Sequence, residues 1–240
     1  MAGHGQFCSV ARAQEVLGGR WTILIVRELL CGSRRFNDIR RGIPRISRTM
    51  LSERLQELVF TGAVHRSEGQ HGPEYSLTAA GMELAPLVGA LATWGQRWLV
   101  RHPEDEDLDL EPVLGDMQRR VRHEALPKEP LVVRFEIQGQ SPRFMLLKQS
   151  EAALCGQNPG FPEPVRVAGP LHALVAWWRG DATFADAQHM GLVVDGKRHL
   201  VRAFPVWFER YQFAHIAPAT DADRNHGRAS VRTAAEAGMS

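Results

Sequence analysis

The chain has 240 residues, of which 44% are hydrophobic and 23% charged, an ordinary composition for a soluble globular protein of one large or two small domains. Its formal net charge of +2 indicates no partner by itself, and three cysteines at unpaired spacing argue against both a disulfide framework and a zinc site. The N-terminus lacks a signal-peptide pattern, and no apolar run reaches the roughly 20 residues of a membrane span. We therefore expect a cytoplasmic protein without membrane contact.

Charge is unevenly distributed along the chain. Arginines dominate residues 34–54, where only Asp38 and Glu53 oppose them. A short acidic stretch follows later, with Glu104, Asp105, Glu106, Asp107, Asp109 and Glu111. Opposed patches of this kind indicate a basic working surface followed by an acidic linker or cap.

The first elements in chain order are helical. Residues 9–17 form a predicted helix with Ser9 as its cap and Gly18 after its end, and residues 20–30 form a second, mostly buried helix. A short third helix fits residues 35–43 and is stopped by Pro44.

A fourth helix is predicted from Ser47, its N-cap, to about Thr61, with Leu51, Leu55 and Leu58 on one side. Two short β-prone runs at 63–67 and 74–78 follow, joined by the turn sequence EGQHGP. Three helices and a hairpin in this order are typical of a winged helix-turn-helix.

After the hairpin, Thr78 caps a helix in which Pro86 predicts a kink or restart. Its apolar residues recur at spacings of three and four, a stripe that can pack on its own domain or on a second copy. The stripe consists of Leu84, Leu87, Leu91, Trp94 and Trp98.

Residues 7–98 carry an ordered set of motifs. They are a cysteine ahead of the first helix, GGRW at 18–21, RRFNDIRRGI at 34–43, ISRTMLSERLQEL at 46–58 and EYSLTAAG at 74–81. In this order they resemble the HxlR-type family of bacterial winged-helix transcription regulators. The resemblance implies a dimeric regulator of double-stranded DNA, commonly a repressor, whose first and last helices form the homodimer.

A recognition helix presents its N-terminal residues to the base edges while surrounding cations hold phosphates. The candidate base contacts are Arg48, Thr49, Ser52, Glu53 and Gln56. The candidate backbone contacts are Arg34, Arg35, Arg40, Arg41, Arg45 and Ser47, and the candidate wing contacts are Arg66, Gln70 and His71.

Several of these residues have simpler interpretations. Arg54 lies nearer the buried side of its helix and is expected to make an internal or phosphate contact rather than read a base. Arg40 and Arg41 also fit a solvated helix end, and His71 fits a plain turn residue.

Cys8 is a candidate sensor of oxidants or electrophiles, because some family members use a cysteine near this position and a helix N-terminus favours a thiolate. The alternative is a small buried hydrophobe packed near Phe7 and Val10. Cys31, after a buried helix, is expected to be structural.

The second half of the sequence predicts strands as well as helices. Residues 131–139, 143–150 and 191–204 are predicted strands, and residues 170–180 and 183–191 are predicted helices, the latter with Thr183 and Asp186 placed as in a capping box. The tail from residue 217 has few apolar residues and is predicted to be disordered. The fold class is therefore α+β, with a winged helix-turn-helix domain at 1–105, a smaller-sheet α+β domain at 106–216 and a tail at 217–240.

The motifs NPGF at 158–161, AWWRG at 176–180, TFADAQHMG at 183–191 and LVRAFPVWF at 200–208 make the second domain similar to sterol carrier protein type two. That resemblance implies a cavity for a small apolar ligand, although each candidate also fits a plain core residue. Adjacent Trp177 and Trp178 should not both point inward, so one is expected at a cavity mouth or domain contact. The candidate lining residues are Phe144, Leu146, Trp177, Trp178, Phe184, Met190, Leu192, Phe204 and Trp207.

The sequence contains no phosphate loop, nucleophile elbow or histidine pair at metal spacing, so we expect no enzyme, cofactor or metal site. The favoured interpretation is a regulator that binds a palindromic operator and responds to an apolar effector. The alternatives are a carrier of hydrophobic ligands, a sensor acting through Cys8, and a second domain that only supports the dimer.

Overall fold

The fold is known from a computed structural model, which describes residues 5–99, 108–220 and 222–223. Its first part contains helices followed by a hairpin, which confirms the predicted winged helix-turn-helix order. The elements are α1 (Ser9–Leu17), α2 (Thr22–Leu30), α3 (Phe36–Gly42), α4 (Arg48–Phe60), β1 (Val64–Gly69), β2 (Gly72–Leu77), α5 (Ala79–Met82) and α6 (Ala85–Trp98).

Local capping sets the boundaries of these helices. The Met50 N–H donates to Ser47 Oγ at 3.1 Å and the Gly81 N–H to Thr78 Oγ1 at 3.2 Å, so both predicted caps are confirmed. Pro86 stands in the first turn of α6, where its missing N–H costs nothing, and this confirms the predicted restart. The predicted cap at Ser9 is wrong: Ser9 is already helical and Cys8 occupies the N-cap.

The second part is α+β, as predicted. Its elements are α7 (Leu110–Arg119), β3 (Leu131–Ile137), β4 (Arg143–Leu147), β5 (Ala152–Cys155), β6 (Val165–Gly169), α8 (Leu171–Arg179), α9 (Phe184–His189), β7 (Val193–Gly196) and α10 (Arg198–Ala203). The five strands form one sheet in the order β5-β4-β3-β6-β7, in which only β3 and β6 pair in parallel.

One sequence prediction fails in this part. The strand predicted over 191–204 ends at Gly196 and gives way to α10, because Leu200 and Phe204 bury at helical spacing. Of the acidic stretch predicted as a linker or cap, residues 104–107 lie outside the described range, whereas Asp109 precedes α7 directly and Glu111 lies in its first turn. The capping box of Thr183 and Asp186 is confirmed.

The chain has two hydrophobic cores. One joins α2, α3, α4 and β1 around Ile25, Ile39 and Leu55, all at most 1% exposed. The other lies between one face of the five-stranded sheet and the helices of the second part, with Phe135, Phe204 and Trp207 at its centre. Each core buries enough apolar side chains to order its own elements.

The opposite face of the sheet carries a network of ion pairs beside the apolar residues Val132, Phe144 and Leu146. Arg166 pairs with Glu136 and, at 2.9 Å, with Asp195, while Arg134 pairs with Glu136 at 2.5 Å and with Glu163 at 3.8 Å. Alternation along the strands explains the division, since neighbouring residues point to opposite faces.

A buried carboxylate connects the two parts. Glu28 on α2 is 1% exposed and accepts from Arg27 Nη2 at 2.8 Å, from Ser33 Oγ at 3.1 Å and from Arg119 Nη1 of α7 at 3.4 Å. Gly42, which ends α3, lies against this carboxylate, and a Cβ there would approach it to 2.1 Å. The position of the Glu28 carboxylate therefore requires glycine at residue 42.

A second connection lies between α6 and α8. Buried Gln96 accepts from Arg179 Nη2 at 2.9 Å, and the Ala219 N–H donates to the carbonyl of Arg97 at 2.7 Å. Ala219 belongs to the tail predicted to be disordered; position 221 and residues 224–240 of that tail lie outside the described residues. In the described ranges, no helix is long and apolar enough to cross a membrane.

We predict that Gly42→Ala lowers the free energy of unfolding by about 1–3 kcal/mol, because the new methyl displaces a buried, hydrogen-bonded carboxylate. The measurement is urea denaturation of the full chain. Gly115→Ala is the matched control: it is another helical glycine, its Cβ would meet nothing within 4 Å, and it should be neutral or stabilising by up to about 1 kcal/mol. Equal stability of the two variants would contradict this account of the Glu28 carboxylate.

Candidate nucleic-acid interface

The outward side of α4 carries the predicted base contacts. Leu51, Leu55 and Leu58 face the core at no more than 1% exposure, which fixes the rotation of the helix. The side chains that this rotation turns outward are Arg48, Thr49, Glu53 and Gln56, which are exposed, and Ser52, which is half-buried. None of the five belongs to the hydrophobic core, so their polar character serves no purpose in packing.

Arg54 lies on another side of the same helix. Its side chain is 20% exposed, pairs with Glu57 at 2.5 Å and contacts the Met50 sulfur at 3.5 Å. The guanidinium also lies close to Gly19, ahead of α2. These contacts give Arg54 an internal structural role.

The candidate backbone contacts surround the N-terminus of α4. Arg41 pairs with Asp38 on α3, and Arg35 lies 3.6 Å from Glu74 on the hairpin. Arg34 accepts the Tyr75 N–H at 2.8 Å through its carbonyl, which ties the start of α3 to β2. The basic residues are thus held on a rigid frame.

A surface notch of about 360 Å³ lies between α3 and α4. It is lined by Asn37, Arg40, Arg41, Pro44, Arg48 and Glu111. The Nε of Arg40 is buried and has no hydrogen-bond partner among the described residues. The cationic residues that line the notch suit an anionic acceptor supplied from outside the chain.

Two acidic side chains of the second part reach this surface, in keeping with the cap alternative, although the sequence did not indicate which arginines they meet. Asp109 Oδ2 accepts from Arg45 Nε at 2.9 Å, and Glu111 lines the notch while pairing with Arg143. The acidic stretch was visible in the sequence, but nothing local showed that the chain returns to α3 and α4.

The hairpin projects beyond this surface. Gln70 and His71 are exposed at its tip, in the two-residue turn between Gly69 and Gly72. Arg66 is exposed on β1 and pairs with Glu68 at 2.9 Å. All three candidate wing residues are therefore accessible.

The cysteines lie in contrasting environments. The pKa of the Cys8 thiol is lowered because the thiol lies at the N-cap of α1, near the backbone N–H groups of Ala11 and Val10. Desolvation raises the pKa of the Cys31 thiol, against a smaller opposing effect of Arg119. Phe7 is fully exposed and Val10 is 75% exposed, so these two residues do not bury Cys8.

The predicted ligand-cavity residues do not enclose one space. Trp177, Phe184, Phe204 and Trp207 belong to the second core or pack directly on it, together with Trp178, Met190 and Leu192. Ring centroids lie 5.2 Å apart between Trp177 and Phe184 and 6.0 Å apart between Phe204 and Trp207. Phe144 and Leu146 alternate with core residues of β4 and so lie on the opposite face of the sheet.

The expectation that only one of Trp177 and Trp178 points inward is wrong, since their exposures are 2% and 3%. Trp178 is nonetheless placed at a domain contact. Its Nε1–H donates to Asp116 Oδ2 at 2.9 Å, and its ring lines the space between α6 and the second part. Both rings belong to the second core.

The outer side of α6 is apolar and exposed. Leu87, Leu91, Trp94 and Trp98 are 42%, 46%, 54% and 39% exposed. They lie on the side of the helix opposite to Ala85, Gly89 and Ala92. An apolar stripe of this size is typical of a protein contact. Within the described residues, no three His, Cys, Asp or Glu side chains cluster as metal ligands.

Comparison with known proteins shows which family the winged part resembles. The family profile for HxlR-like helix-turn-helix proteins matches residues 16–103. The uncharacterized HTH-type transcriptional regulator YvaP of Bacillus subtilis (strain 168) is 43% identical over 91 residues, which are 37% of this chain and 84% of the relative. YdeP of the same organism, described in the same words, is 34% identical over 94 residues, 38% of this chain and 73% of the relative.

Solved structures similar to the chain cover the same part. The redox regulator HypR in its oxidized form is 37% identical, with 37% of this chain and 95% of that chain covered at a TM-score of 0.36. The reduced form of the transcriptional regulator YodB from B. subtilis is 31% identical, with 43% and 100% covered at a TM-score of 0.34.

We predict that iodoacetamide alkylates Cys8 faster than Cys31 near neutral pH, and that the Cys8 rate persists to lower pH. The lowered pKa of Cys8 keeps its reactive thiolate populated as the pH falls, whereas the raised pKa of Cys31 reduces its thiolate population. Peptide mass spectrometry after timed labelling measures both sites in one chain. Labelling in urea is the control and should abolish the difference; identical profiles in the folded chain would contradict the assignment.

Proposed function

Because the chain belongs to the HxlR-like helix-turn-helix family, we propose that it is a cytoplasmic transcription regulator that binds a palindromic DNA operator as a homodimer and represses transcription there. The observation that carries this proposal is the outward side of α4, whose polar residues have no role in the core. Relatives named as HTH-type transcriptional regulators support the same function.

In this proposal α4 enters the major groove with its N-terminal residues first. Arg48 donates two hydrogen bonds to a guanine, while Thr49 and Ser52 adapt to several bases. Glu53 and Gln56 lie further along the same side. The exposure of these residues and the rotation fixed by the three leucines support this assignment.

Arginines at the entrance of α4 hold the phosphates. The notch lined by Arg40, Arg41 and Arg48 supports a phosphate contact. Arg34, Arg35, Arg45 and Ser47 complete the backbone set. Arg66, Gln70 and His71 contact the neighbouring minor groove from the hairpin.

The homodimer forms through the exposed outer side of α6 together with α1. Leu87, Leu91, Trp94 and Trp98 supply the apolar area, and Phe7 and Val10 extend it. In such a dimer the two copies of α4 must reach half-sites about one helical turn apart, roughly 34 Å, so a small rotation at α6 breaks simultaneous docking.

For residues 106–216 we propose a sensing domain rather than a carrier. The similarity to sterol carrier protein type two stays a prediction, supported by an α+β fold with helices on one face of the sheet. The aromatic residues predicted to line a cavity instead pack on one another within the second core, which argues against a carrier.

We predict that the double change Arg45→Ala, Arg48→Ala weakens binding by about 2 kcal/mol or more, because one bidentate arginine contact to a base is worth about 1–3 kcal/mol. The operator is first obtained by in vitro selection from random duplexes, and affinity is then measured by fluorescence anisotropy across salt concentrations.

The matched control is Arg198→Ala, Arg202→Ala on α10, which removes the same charge from exposed positions of the second part. It should keep the wild-type affinity within about twofold, since distant charges are screened. Equal affinities of the two double variants would contradict the proposed DNA surface, as would selected sites without two related halves.

We predict that Leu91→Glu, Trp94→Glu converts a dimer into a monomer and lowers operator affinity, because two carboxylates would have to be buried in the contact. Sedimentation equilibrium gives the mass directly. Val193→Glu is the control, since this residue is 45% exposed in the second part. A monomeric wild-type chain, or dimers in both variants, would rule out this interface.

A second candidate function is redox or electrophile sensing through Cys8. The favouring observation is the position of the thiol at the N-cap of α1, where nearby backbone N–H groups lower its pKa. Since α1 belongs to the proposed dimer contact, modification of Cys8 would alter the spacing of the half-sites. Unchanged operator affinity after complete modification of Cys8 would contradict this function.

A further inference from the structure

A cavity of about 610 Å³ lies between the two cores. One wall comes from α2 and α6 of the winged part. The other comes from α7, α8 and residues 211–213 of the second part. This volume falls within the range of about 300–1,000 Å³ that small-molecule sites occupy.

Small residues on α6 keep this space open. Ala85, Gly89 and Ala92 recur at helical spacing on the inner side of the helix, and a Cβ at Gly89 would meet nothing within 4 Å. The opposite wall carries Trp178, Tyr211 and Phe213. A flat or extended apolar body fits between a smooth helix face and aromatic rings.

The charged residues that line the cavity carry a net positive charge. Of the charged lining residues, Asp109 pairs with Arg45 and Arg179 with Asp181, and neither partner lines the cavity. The remaining charges are the cations Arg27, Arg119 and Arg120 against the carboxylates Glu28 and Asp116. Three positive charges against two leave an excess of one.

Arg119 is suited to meet a ligand. Its guanidinium carries five N–H donors, and the one hydrogen bond to Glu28, at 3.4 Å, uses Nη1. The side chain is 32% exposed, so it is accessible from the cavity without losing its place on α7. A guanidinium of this kind binds a carboxylate or sulfonate through paired donors.

We propose that the cavity between the two cores binds an amphipathic organic anion, with its apolar body between α6 and the aromatic wall and its anionic group on Arg119. Binding itself needs no DNA. Its consequence for regulation rests on the function proposed above, because α6 lines the cavity on one side and carries the proposed dimer contact on the other.

The test uses two fluorescent probes of similar aromatic body. 1-Anilinonaphthalene-8-sulfonate carries a negative charge, and N-phenyl-1-naphthylamine is its neutral counterpart. Titration of the full chain should show saturable binding of both. Gly89→Leu and, separately, Ala92→Leu should weaken both probes about tenfold by filling the space, a loss of about 1.4 kcal/mol.

Gly115→Leu is the matched control, because Gly115 is a helical glycine with open space around its Cβ and does not line this cavity. It should leave both affinities unchanged. If both probes bind Gly89→Leu and Ala92→Leu as they bind the wild type, they lie elsewhere, for example on the outer side of α6, and the proposal is overturned.

Charge recognition is tested with Arg119→Gln. The anionic probe should lose about tenfold in affinity while the neutral probe is unaffected, which also shows that the cavity has kept its shape. Equal losses for both probes would overturn the role of Arg119. Probe binding without any effect on operator affinity would contradict the regulatory consequence alone, and operator binding without probe binding would overturn the cavity proposal alone.

Discussion

The structure depends on a carboxylate that has been taken out of water. Glu28 is stable at 1% exposure because Arg27, Ser33 and Arg119 together replace its hydration, and because Gly42 leaves room for it. A buried charge without such partners costs several kcal/mol, so the three elements that supply them cannot separate freely. The position of α7 against α2 and α3 follows from this requirement, and with it the position of the whole second core.

Two helices then divide their surfaces between packing and interaction. On α4 one side is leucine and the other is polar, so the helix is fixed by the core and offers the remainder outward. On α6 the inner side is small and borders the cavity, while the outer side is large, apolar and exposed. A ligand, a second copy and DNA would therefore act on one connected frame rather than on separate modules.

Local chemistry allowed much of the winged part to be predicted. Caps at Ser47 and Thr78, the break at Pro86 and the leucine spacing of α4 act over a few residues, so they are legible in the sequence. The failures were of another kind. The helix α10 has apolar residues that suit either strand or helix, and only burial on the second core decides between them.

The same limit applies to the candidate site. The outward residues of α4 could be named from the leucine spacing, whereas the pairing of Arg45 with Asp109 joins positions far apart in the chain. The cavity between the two cores depends on how the cores pack against each other, which cannot be predicted from a local sequence pattern. Trp178 illustrates the point: its ring belongs to the second core, where it contacts Phe208, and its Nε1–H donates to Asp116 of α7, 62 residues earlier in the chain.

In the ion pair with Arg45, the Asp109 carboxylate acts as an intramolecular counterion for an arginine that we propose to contact DNA. An arginine that reaches DNA already neutralised must exchange a carboxylate for a phosphate, and the displaced carboxylate then takes up a cation from solution. That uptake offsets part of the cation release that normally drives binding to DNA. The affinity of this protein should therefore fall less steeply with salt than its number of arginines implies, and its DNA contacts should persist at higher ionic strength.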